Sequence, residues 1–144
     1  MNVRIRKASK KDGREVLNLL NSDVNLVGDE TFKYRESHFK EYLKNPVNKL
    51  FVAEINHKIV GLILVEFWKI AKYVYLNDLV IDRDHRRRGI ATKLMKHVES
   101  IAKKQKMKFL FGFSEINNKK THQLLGKLNY RLGKKFYFFS KTLR

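Results

Sequence analysis

The sequence predicts a mixed α/β fold in which a central β-sheet is flanked by helices on both faces. The prediction depends on runs of β-branched and aromatic residues that alternate with segments of helical periodicity. The run Tyr73–Ile81 (YVYLNDLVI) has the composition of a strand buried on both faces. A polar turn follows it, and from Arg86 to Gln105 apolar residues recur at three- and four-residue spacing, which predicts a helix. The residues at this spacing are Ile90, Leu94, Val98 and Ile101.

The region before this strand begins with one predicted strand and two predicted helices. The alternating segment Asn2–Ala8 (NVRIRKA) suits a first strand. Ser9 is the predicted N-cap of the first helix, with Asp12 in the place where glutamate is usual. A second helix is predicted from about Glu30 to Lys44, and Asn45-Pro46 ends it.

A β-hairpin is predicted next, from Lys49 to Trp68. Two runs of strand-forming residues flank Asn56-His57-Lys58, which has the composition of a hairpin turn, so the strands are antiparallel. Gly61 lies inside the second run and indicates a bulge or a close approach. A short link, Lys69–Lys72, leads to the strand Tyr73–Ile81.

The remaining elements complete one predicted domain spanning residues 1–144. The run Lys108–Ser114 has strand length, and a strand–helix–strand crossover makes it parallel to Tyr73–Ile81. Apolar residues from Thr121 to Leu128 predict a short helix, and the aromatic segment Lys135–Leu143 (KFYFFSKTL) predicts a final strand. The element order is β-α-α-β-β-β-α-β-α-β.

The composition excludes several classes of protein. The 144 residues contain no cysteine, which excludes a disulfide framework, a thiolate nucleophile and a sulfur-ligated metal, and no metal site is predicted. No apolar stretch has the length of a membrane span and no apolar leader precedes the first strand. We therefore expect a soluble cytoplasmic protein that does not bind a membrane.

The net charge of +18 and the isoelectric point near 10.2 indicate a polyanionic partner. The lysines are spread from Lys7 to Lys141, without a low-complexity tail, and genome bias or a hot habitat would give the same composition. Charge alone therefore does not choose among nucleic acid, an acidic protein surface and a strongly anionic cofactor. Nucleic acid is the less favoured partner because no recognised nucleic-acid motif is present, and an amine substrate carried on an anionic macromolecule is also expected.

The turn between the central strand and its helix has the composition of a phosphate site. Arg86-Arg87-Arg88 precede Gly89, which lets an anion approach the backbone, and Thr92 adds a hydroxyl. The first N–H groups of a helix have no intrahelical partner, and the helix dipole favours an anion there. We interpret the turn as a pyrophosphate cradle, against the alternative of a solvated arginine-rich surface.

The order of elements, together with VAEINHKIVG, LNDLVIDRDHRRRGIATKLM and SEINNKKTHQLLGKLNY, resembles the GNAT superfamily of acetyl-coenzyme A-dependent N-acetyltransferases. Arg86, Gly89 and Ala91 match its Arg/Gln-x-x-Gly-x-Gly/Ala signature. Asn118 matches the asparagine that opens the next helix, and Lys127–Tyr130 is similar to the family's Lys-Leu-Gly-Phe ending. The resemblance covers nearly the whole chain and implies the GNAT, or acyl-CoA N-acyltransferase, fold.

The resemblance also implies acetyl-coenzyme A as the cofactor. The pyrophosphate of coenzyme A is expected on the N–H groups from Arg87 to Thr92, and the pantetheine arm along the backbone of the fourth strand, with Asn118 on its other side. The expected cofactor-binding residues are Leu79, Val80, Ile81, Arg86, Arg87, Arg88, Gly89, Ile90, Ala91, Thr92 and Asn118.

The catalytic residues that the resemblance implies are replaced here. On the fourth strand, the glutamate of one branch of the family corresponds to Asn77 here, and the glutamate of another branch corresponds to Tyr75. The tyrosine that relatives have in the last helix corresponds to Leu125. Asp78 is adjacent, but a bulge is required to turn it toward the same cavity. The candidates are therefore Asn77, Asp78 and Glu66, with Glu115 as a further carboxylate and bound water as an alternative base. Three tyrosines are candidate proton donors: Tyr73, Tyr75 and Tyr137. The alternative role for each of them is that of a packed aromatic residue.

The expected function is transfer of an acetyl group from acetyl-coenzyme A to a primary amine by direct attack in a ternary complex. The amine belongs to a protein N-terminus, a lysine or a small molecule. The alternative is a basic module that binds nucleic acid or ribosomes on the same fold, with KKFYFFSK as a stacking platform and weak or no transfer activity. The protein is expected to be a monomer or a homodimer.

Overall fold

The computed structural model describes residues 2–23 and 32–143. The chain divides into two compact units, Met1–Phe113 and Ser114–Arg144. No helix in the described part of the chain is long and apolar enough to cross a membrane.

The first unit is built on a five-stranded sheet whose strands lie side by side in chain order. Its first four strands are antiparallel, and β5 is parallel to β4, as the crossover predicts. The strands are β1 Arg4–Lys7, β2 Asn48–Ile55, β3 Lys58–Trp68, β4 Tyr73–Ile81 and β5 Phe109–Gly112. The helices of this unit are α1 Gly13–Asn21, α2 Glu36–Lys44 and α3 Ile90–Lys104.

Helices cover both faces of this sheet, which confirms the predicted fold class. Leu62, Leu64 and Val80 project from one face into a core cluster that also contains residues of α1 and α2. On the other face, Gly61 lies under α3. A Cβ atom at Gly61 would stand 3.2 Å from Ile90 Cγ2, so the missing side chain allows the helix to pack closely. The predicted close approach at this glycine is confirmed.

The hairpin between β2 and β3 turns where predicted, but Lys58, the third residue of the predicted turn, belongs to β3. Asn56 and His57 form the turn and both have positive φ, 50° and 64°, as a type I′ turn requires. β3 begins at Lys58, so the loop has two residues and sets the register in which Ile55 pairs with Lys58.

A partly buried ion cluster connects the start of α1 to the sheet. The Arg6 guanidinium donates to both oxygens of Asp12, at 2.8 and 2.9 Å, and to Glu54 Oε2 at 3.1 Å. The Ser9 N–H donates to Asp12 Oδ2 at 2.7 Å, which is the predicted reciprocal cap. The hydrogen bond from Arg6 lowers the pKa of Asp12 to about 2. A short 3-10 turn, Lys10–Asp12, leads from this cap into α1.

The second helix begins later than predicted. Residues 32–35 are not helical, and Glu30 lies outside the described residues. Arg35 is the N-cap, with extended backbone, and its N–H donates to His38 Nδ1 at 2.8 Å. This cap fixes the start of α2 at Glu36.

The second unit contains one helix, α4 Lys119–Lys127. The Asn118 side chain caps it by accepting a hydrogen bond from the Thr121 N–H at 3.2 Å. Asn129 ends the helix with a φ of 65°, and the Tyr130 N–H donates to Leu125 O at 2.8 Å.

The predicted strand Lys135–Leu143 is wrong for this structure. Residues 131–143 contain neither helix nor strand, and their side chains are exposed. The local pattern is typical of a strand, but a strand forms only where a neighbouring strand satisfies its backbone groups.

Candidate functional site

The candidate site lies where β4 extends beyond β5. The two strands pair from Tyr73 with Phe109 to Leu76 with Gly112, and there the pairing ends. β4 continues to Ile81, hydrogen-bonded to β3 along its other edge. The second half of β4 therefore has an edge that β5 does not cover.

The backbone groups of Leu79 and Ile81 point to this uncovered edge. The Asp82 N–H donates to Val60 O at 2.8 Å, so Asp82 faces β3. Because successive residues of an antiparallel strand turn their backbone groups to opposite sides, Ile81 and Leu79 face away from β3. The intervening Val80 faces β3 with its backbone, and its side chain is buried in the core. Two of the three predicted strand residues thus offer hydrogen-bonding groups at this edge.

The turn after β4 has the backbone conformation of an anion site. Gly89 is the N-cap of α3 with a φ of 77°, and Arg87 has a φ of 63°. A Cβ atom at Gly89 would have no protein atom within 4 Å, so the space beside its backbone is open. The first intrahelical donor is the Lys93 N–H, which bonds to Gly89 O at 3.0 Å. The preceding amides of Ile90, Ala91 and Thr92 have no earlier carbonyl within the helix.

Three arginines surround this open turn, and all three are exposed. Arg86 Nε donates to Ile81 O at 3.1 Å and so connects the turn to the end of β4. Just before the turn, His85 Nδ1 lies 2.6 Å from Asp82 Oδ2, and this contact lowers the pKa of Asp82. The Asp82 carboxylate is therefore held by His85, and the three guanidinium groups dominate the charge beside Gly89.

β4 contains an irregularity at the position of the candidate base. Leu64 pairs with Asp78 but the next residue, Val65, pairs with Leu76, so Asn77 is an extra residue in β4. This is a bulge of the kind that Asp78 needs to change faces. Asp78 lies opposite Leu64 and therefore projects from the face that carries α1 and α2, while Asn77 is exposed.

Asp78 has an environment that favours its protonated form. Burial, and to a lesser extent the negative charge of Asp23, raise the pKa of Asp78 to about 6. Burial together with the charge of Asp78 raises the pKa values of Tyr34 and Tyr75. The Tyr42 hydroxyl, whose pKa is also raised by burial, lies 3.0 Å from Val65 O. The negative charge of Asp78 thus contributes to the raised pKa values of Tyr34, Tyr42 and Tyr75.

Glu66 projects from the same face as Asp78, two residues beyond Leu64 along β3. It accepts a hydrogen bond from Trp68 Nε1 at 3.0 Å and pairs across the sheet with Tyr75. The Tyr75 ring stacks on Phe111 with 5.2 Å between centroids, and the Tyr73 ring lies 5.3 Å from Phe111. These two tyrosines are therefore packed aromatic residues, which is one of the two roles predicted for them.

Asn118, Glu115, Leu125 and Tyr137 belong to the second unit. There the Asn118 side chain caps α4, Leu125 lies within that helix, and Tyr137 is 98% exposed. Sequence reasoning did not assign Asp23, Tyr34 or Tyr42 to the surroundings of Asp78. Nothing in their local sequence marks them, since they lie far from Asp78 along the chain. No group of three or more His, Asp or Glu side chains in the described ranges is arranged to hold a metal ion.

Comparison with known proteins identifies the family. The model of the acetyltransferase (GNAT) family matches residues 14–130. An aminoglycoside acetyltransferase from an uncultured soil metagenomic sample, solved with trehalose, is similar in structure, with a TM-score of 0.81 and 18% identity over 99% of this chain and 97% of that chain.

Two further solved structures are similar. AAC(6')-Iy, in complex with the bisubstrate analog CoA-S-monomethyl-acetylneamine, has a TM-score of 0.80 and 14% identity over 99% of this chain and all of that chain (100%). A ribosomal-protein-alanine N-acetyltransferase from Brucella melitensis biovar Abortus 2308 has a TM-score of 0.79 and 15% identity over 98% of this chain and 100% of that chain. At these identities the likeness shows a shared fold. Because the family model matches most of the sequence, the chain belongs to the GNAT family of acetyltransferases.

Proposed function

We propose that this protein transfers an acetyl group from acetyl-coenzyme A to a primary amine by direct attack in a ternary complex. The observation that carries the proposal is the uncovered edge of β4, which leads into an open turn with a left-handed glycine at the start of α3. With no cysteine in the sequence, no thiolate is present to carry the acetyl group between the two substrates.

The residues at this edge fit coenzyme A. Its pyrophosphate would be held by the amides that follow Gly89 and by the guanidinium groups of Arg86, Arg87 and Arg88, since these supply N–H donors and positive charge. The amide-rich pantetheine arm would pair with the backbone of Leu79 and Ile81. The bound cofactor supplies the acetyl group as a thioester. Asn118, in the second unit, is retained as a proposed contact on the basis of its match to the family.

Asp78 is the proposed base. An alkyl ammonium must lose a proton before it attacks a thioester, and a carboxylate with a pKa of about 6 accepts that proton more readily than an ordinary carboxylate. The amine would approach from the face of α1 and α2, because Asp78 and Glu66 both project there. Glu66 is proposed to attract the cationic amine, and the carboxamide of Asn77, which is not basic, to position it. The N–H of Leu79 is the proposed donor to the acetyl oxygen.

A calorimetric titration with acetyl-coenzyme A tests the cofactor site. The nucleic-acid-free protein is expected to bind one equivalent. Gly89→Glu is expected to abolish binding, because it places a carboxylate where the phosphate would lie. Gly133→Glu makes the same change at an open, exposed glycine of the second unit and is expected to leave binding unchanged. Equal affinity in all three proteins would refute the cradle.

Initial-rate kinetics test the transfer reaction. Acceptors to be compared are an aminoglycoside, a peptide with N-terminal alanine, a lysine peptide and a simple diamine. Direct attack predicts intersecting double-reciprocal plots for any acceptor that is turned over. Parallel plots would instead indicate an acetylated enzyme and would contradict the proposed mechanism.

A further inference from the structure

One end of the sheet carries a lysine from every strand. This is the end where β1 and β3 finish and where β2, β4 and β5 begin. Lys7 is the last residue of β1, and Lys49 is the second residue of β2. Lys69 directly follows β3, Lys72 directly precedes β4, and Lys108 directly precedes β5. We name these five residues the lysine row, and all of them belong to the first unit.

The register of the sheet brings the members of the lysine row together. Lys7 pairs with Phe51, and Lys49 lies two residues before Phe51 in β2, so Lys7 and Lys49 project from the same face. The Lys108 N–H donates to Lys72 O at 2.7 Å, which joins the starts of β4 and β5. Neighbouring strands lie about 4.8 Å apart, so this end of the sheet spans roughly 19 Å. The row therefore forms a band of positive charge across the whole sheet.

The amine of Lys49 is held in an environment that disfavours its charge. Lys49 is partly buried, and this burial, together with the charges of Lys7 and Lys69, lowers its pKa. No ion pair among the described residues involves a lysine of the row. Like charges gathered in this way repel one another, and an anion bound among them would remove the repulsion. The arrangement therefore indicates a polyanionic ligand.

The face that carries Lys7 and Lys49 also carries α3, which extends the positive charge. The Phe51 ring lies 5.0 Å from the His97 ring of α3, measured between centroids. Burial, and to a lesser extent the charge of Lys104, lowers the pKa of His97. Lys104 is the last residue of α3 and is exposed. The positive surface therefore continues from the lysine row onto the last turn of this helix.

An exposed indole ring lies within the lysine row. Trp68, the only tryptophan of the chain, is the last residue of β3 and is 42% exposed. Its ring stacks on Tyr73 with 6.0 Å between centroids, and its Nε1 donates to Glu66 Oε1 at 3.0 Å, so both contacts fix its orientation. Lys69 follows it directly. Aromatic rings beside basic residues are typical of proteins that bind single-stranded nucleic acid, because every base has a face that can stack.

We propose that the lysine row binds the phosphates of a single-stranded nucleic acid and that one base stacks on Trp68. A width of roughly 19 Å corresponds to about five or six nucleotides at a rise of about 3.4 Å each, which suits a row of five lysines. An acidic polypeptide would match the charge but has no base to place on the indole. The bases of a duplex are stacked and paired within it, so a duplex would use the lysines alone.

This proposal goes beyond the transferase function and does not depend on it. The lysine row lies at the start of β4, whereas the basic turn at Gly89 follows the end of that strand. Gly89→Glu is therefore expected to retain binding of single-stranded nucleic acid. Removal of lysines from the row is expected to retain binding of coenzyme A, and calorimetry with both ligands separates the two sites.

Titration of the full-length, nucleic-acid-free protein with a short oligothymidylate tests the proposal. The fluorescence of Trp68 reports stacking at this site because the chain has no other tryptophan. Oligothymidylate is expected to bind and to quench this fluorescence. A duplex of equal length and polyglutamate are expected to bind more weakly and to leave the fluorescence nearly unchanged. Absence of binding, binding without quenching, or a duplex bound as tightly as the single strand would overturn the proposal.

A variant with three lysines removed locates the site. Lys7→Gln/Lys49→Gln/Lys69→Gln is expected to lower the affinity for oligothymidylate by roughly tenfold or more at moderate salt. The slope of log affinity against log salt concentration should decrease in magnitude by about 2, since each phosphate contact on a single strand contributes about 0.7. Because Lys49 is partly buried, Lys69→Glu at an exposed position provides a second test that does not alter the sheet. Its affinity should also decrease.

Matched controls remove the same charge elsewhere. Lys40→Gln/Lys58→Gln/Lys127→Gln changes exposed lysines of α2, the start of β3 and α4, and should keep the wild-type salt slope. Lys58→Glu is the control for Lys69→Glu. Circular dichroism spectra of all the variants should agree with that of the wild type. Equal losses of affinity in the row variants and in their controls would show that only net charge matters and would overturn the assignment of the site.

Discussion

Arg86 Nε donates a hydrogen bond to the backbone oxygen of Ile81 at 3.1 Å. The bond joins the first residue of the basic turn to the last residue of β4, so that the two parts of the proposed cofactor site are held together. It also places a guanidinium group at the uncovered edge of the strand. The remaining N–H groups of that guanidinium are available to bind a phosphate.

Replacement of Arg86 is predicted to weaken cofactor binding. Arg86→Gln removes a charge and a bidentate donor, and we expect roughly tenfold lower affinity for coenzyme A. Arg86→Lys keeps the charge but lacks the planar fork of donors. Its affinity for coenzyme A should therefore lie between those of the wild type and Arg86→Gln. Calorimetry measures all three. Arg83→Gln removes the same charge from the short 3-10 turn Arg83–His85, which precedes the basic turn, and should have a smaller effect. Equal losses in Arg83→Gln and Arg86→Gln would show that only net charge matters.

Asp78 is predicted to control the pH dependence of transfer. The deprotonated carboxylate is the active form, so kcat/KM should rise with pH through about 6. Asp78→Asn should remove this limb of the profile and lower kcat by roughly 10²- to 10⁴-fold. Glu66→Gln is the matched control and should retain the limb with a raised KM for the amine. An unchanged profile in Asp78→Asn would assign the proton transfer to water.

The same carboxylate is predicted to reduce stability. The pKa of Asp78 is raised in the folded protein, so the fold binds its proton more tightly than the unfolded chain does. The free energy of unfolding should therefore decrease as pH rises from about 4 to about 6, by on the order of 1–3 kcal/mol. At neutral pH, Asp78→Asn should be more stable than the wild type. Urea titrations at pH 4 and pH 7 measure this, and a destabilised variant at pH 7 would contradict the prediction.

Asp12 is predicted to act in the opposite direction. The hydrogen bond from Arg6 lowers the pKa of Asp12 to about 2. The contribution of Asp12 to the free energy of unfolding is therefore complete above about pH 4 and is lost as pH falls through about 2. The linked free energy is about 2 kcal/mol. Asp12→Asn should therefore lower stability at pH 7 and reduce the loss on acidification. Arg4, whose contact with Glu54 is longer at 3.5 Å and more exposed, supplies the control Arg4→Gln, which should change stability little.

The local elements of the site were predictable from the sequence because their signals are local. The strand, the glycine turn and the α3 helix are encoded by periodicity and by a residue type that tolerates positive φ, and the structure has all three. The parallel placement of β5 follows from the crossover. The GNAT resemblance added the expectation that coenzyme A binds along β4, and the uncovered edge of that strand supports it.

Other features depend on contacts between distant parts of the chain. Alternation along β4 places Asp78 on the wrong face, and only the pairing with β3 reveals the bulge at Asn77. The cluster of Arg6, Asp12 and Glu54 joins residues up to 48 positions apart along the chain, and no spacing rule finds it. The predicted strand Lys135–Leu143 failed for the same reason, since a strand is defined by its neighbour.

Gly112 is predicted to set how closely β5 approaches β4 at the point where they separate. A Cβ atom on Gly112 would stand 2.8 Å from Leu76 O, and a backbone oxygen cannot move aside as a side-chain end can. Gly112→Val should therefore displace the end of β5 and lower the free energy of unfolding by about 1–3 kcal/mol. Gly112→Val should also weaken coenzyme A binding, because it alters the point where β5 ends and the edge of β4 becomes uncovered.

Gly126→Ala, at an open position within α4, is the control and should raise stability by up to about 1 kcal/mol. Chemical denaturation and calorimetry on both variants check the prediction, which fails if Gly112→Val is as stable as the wild type.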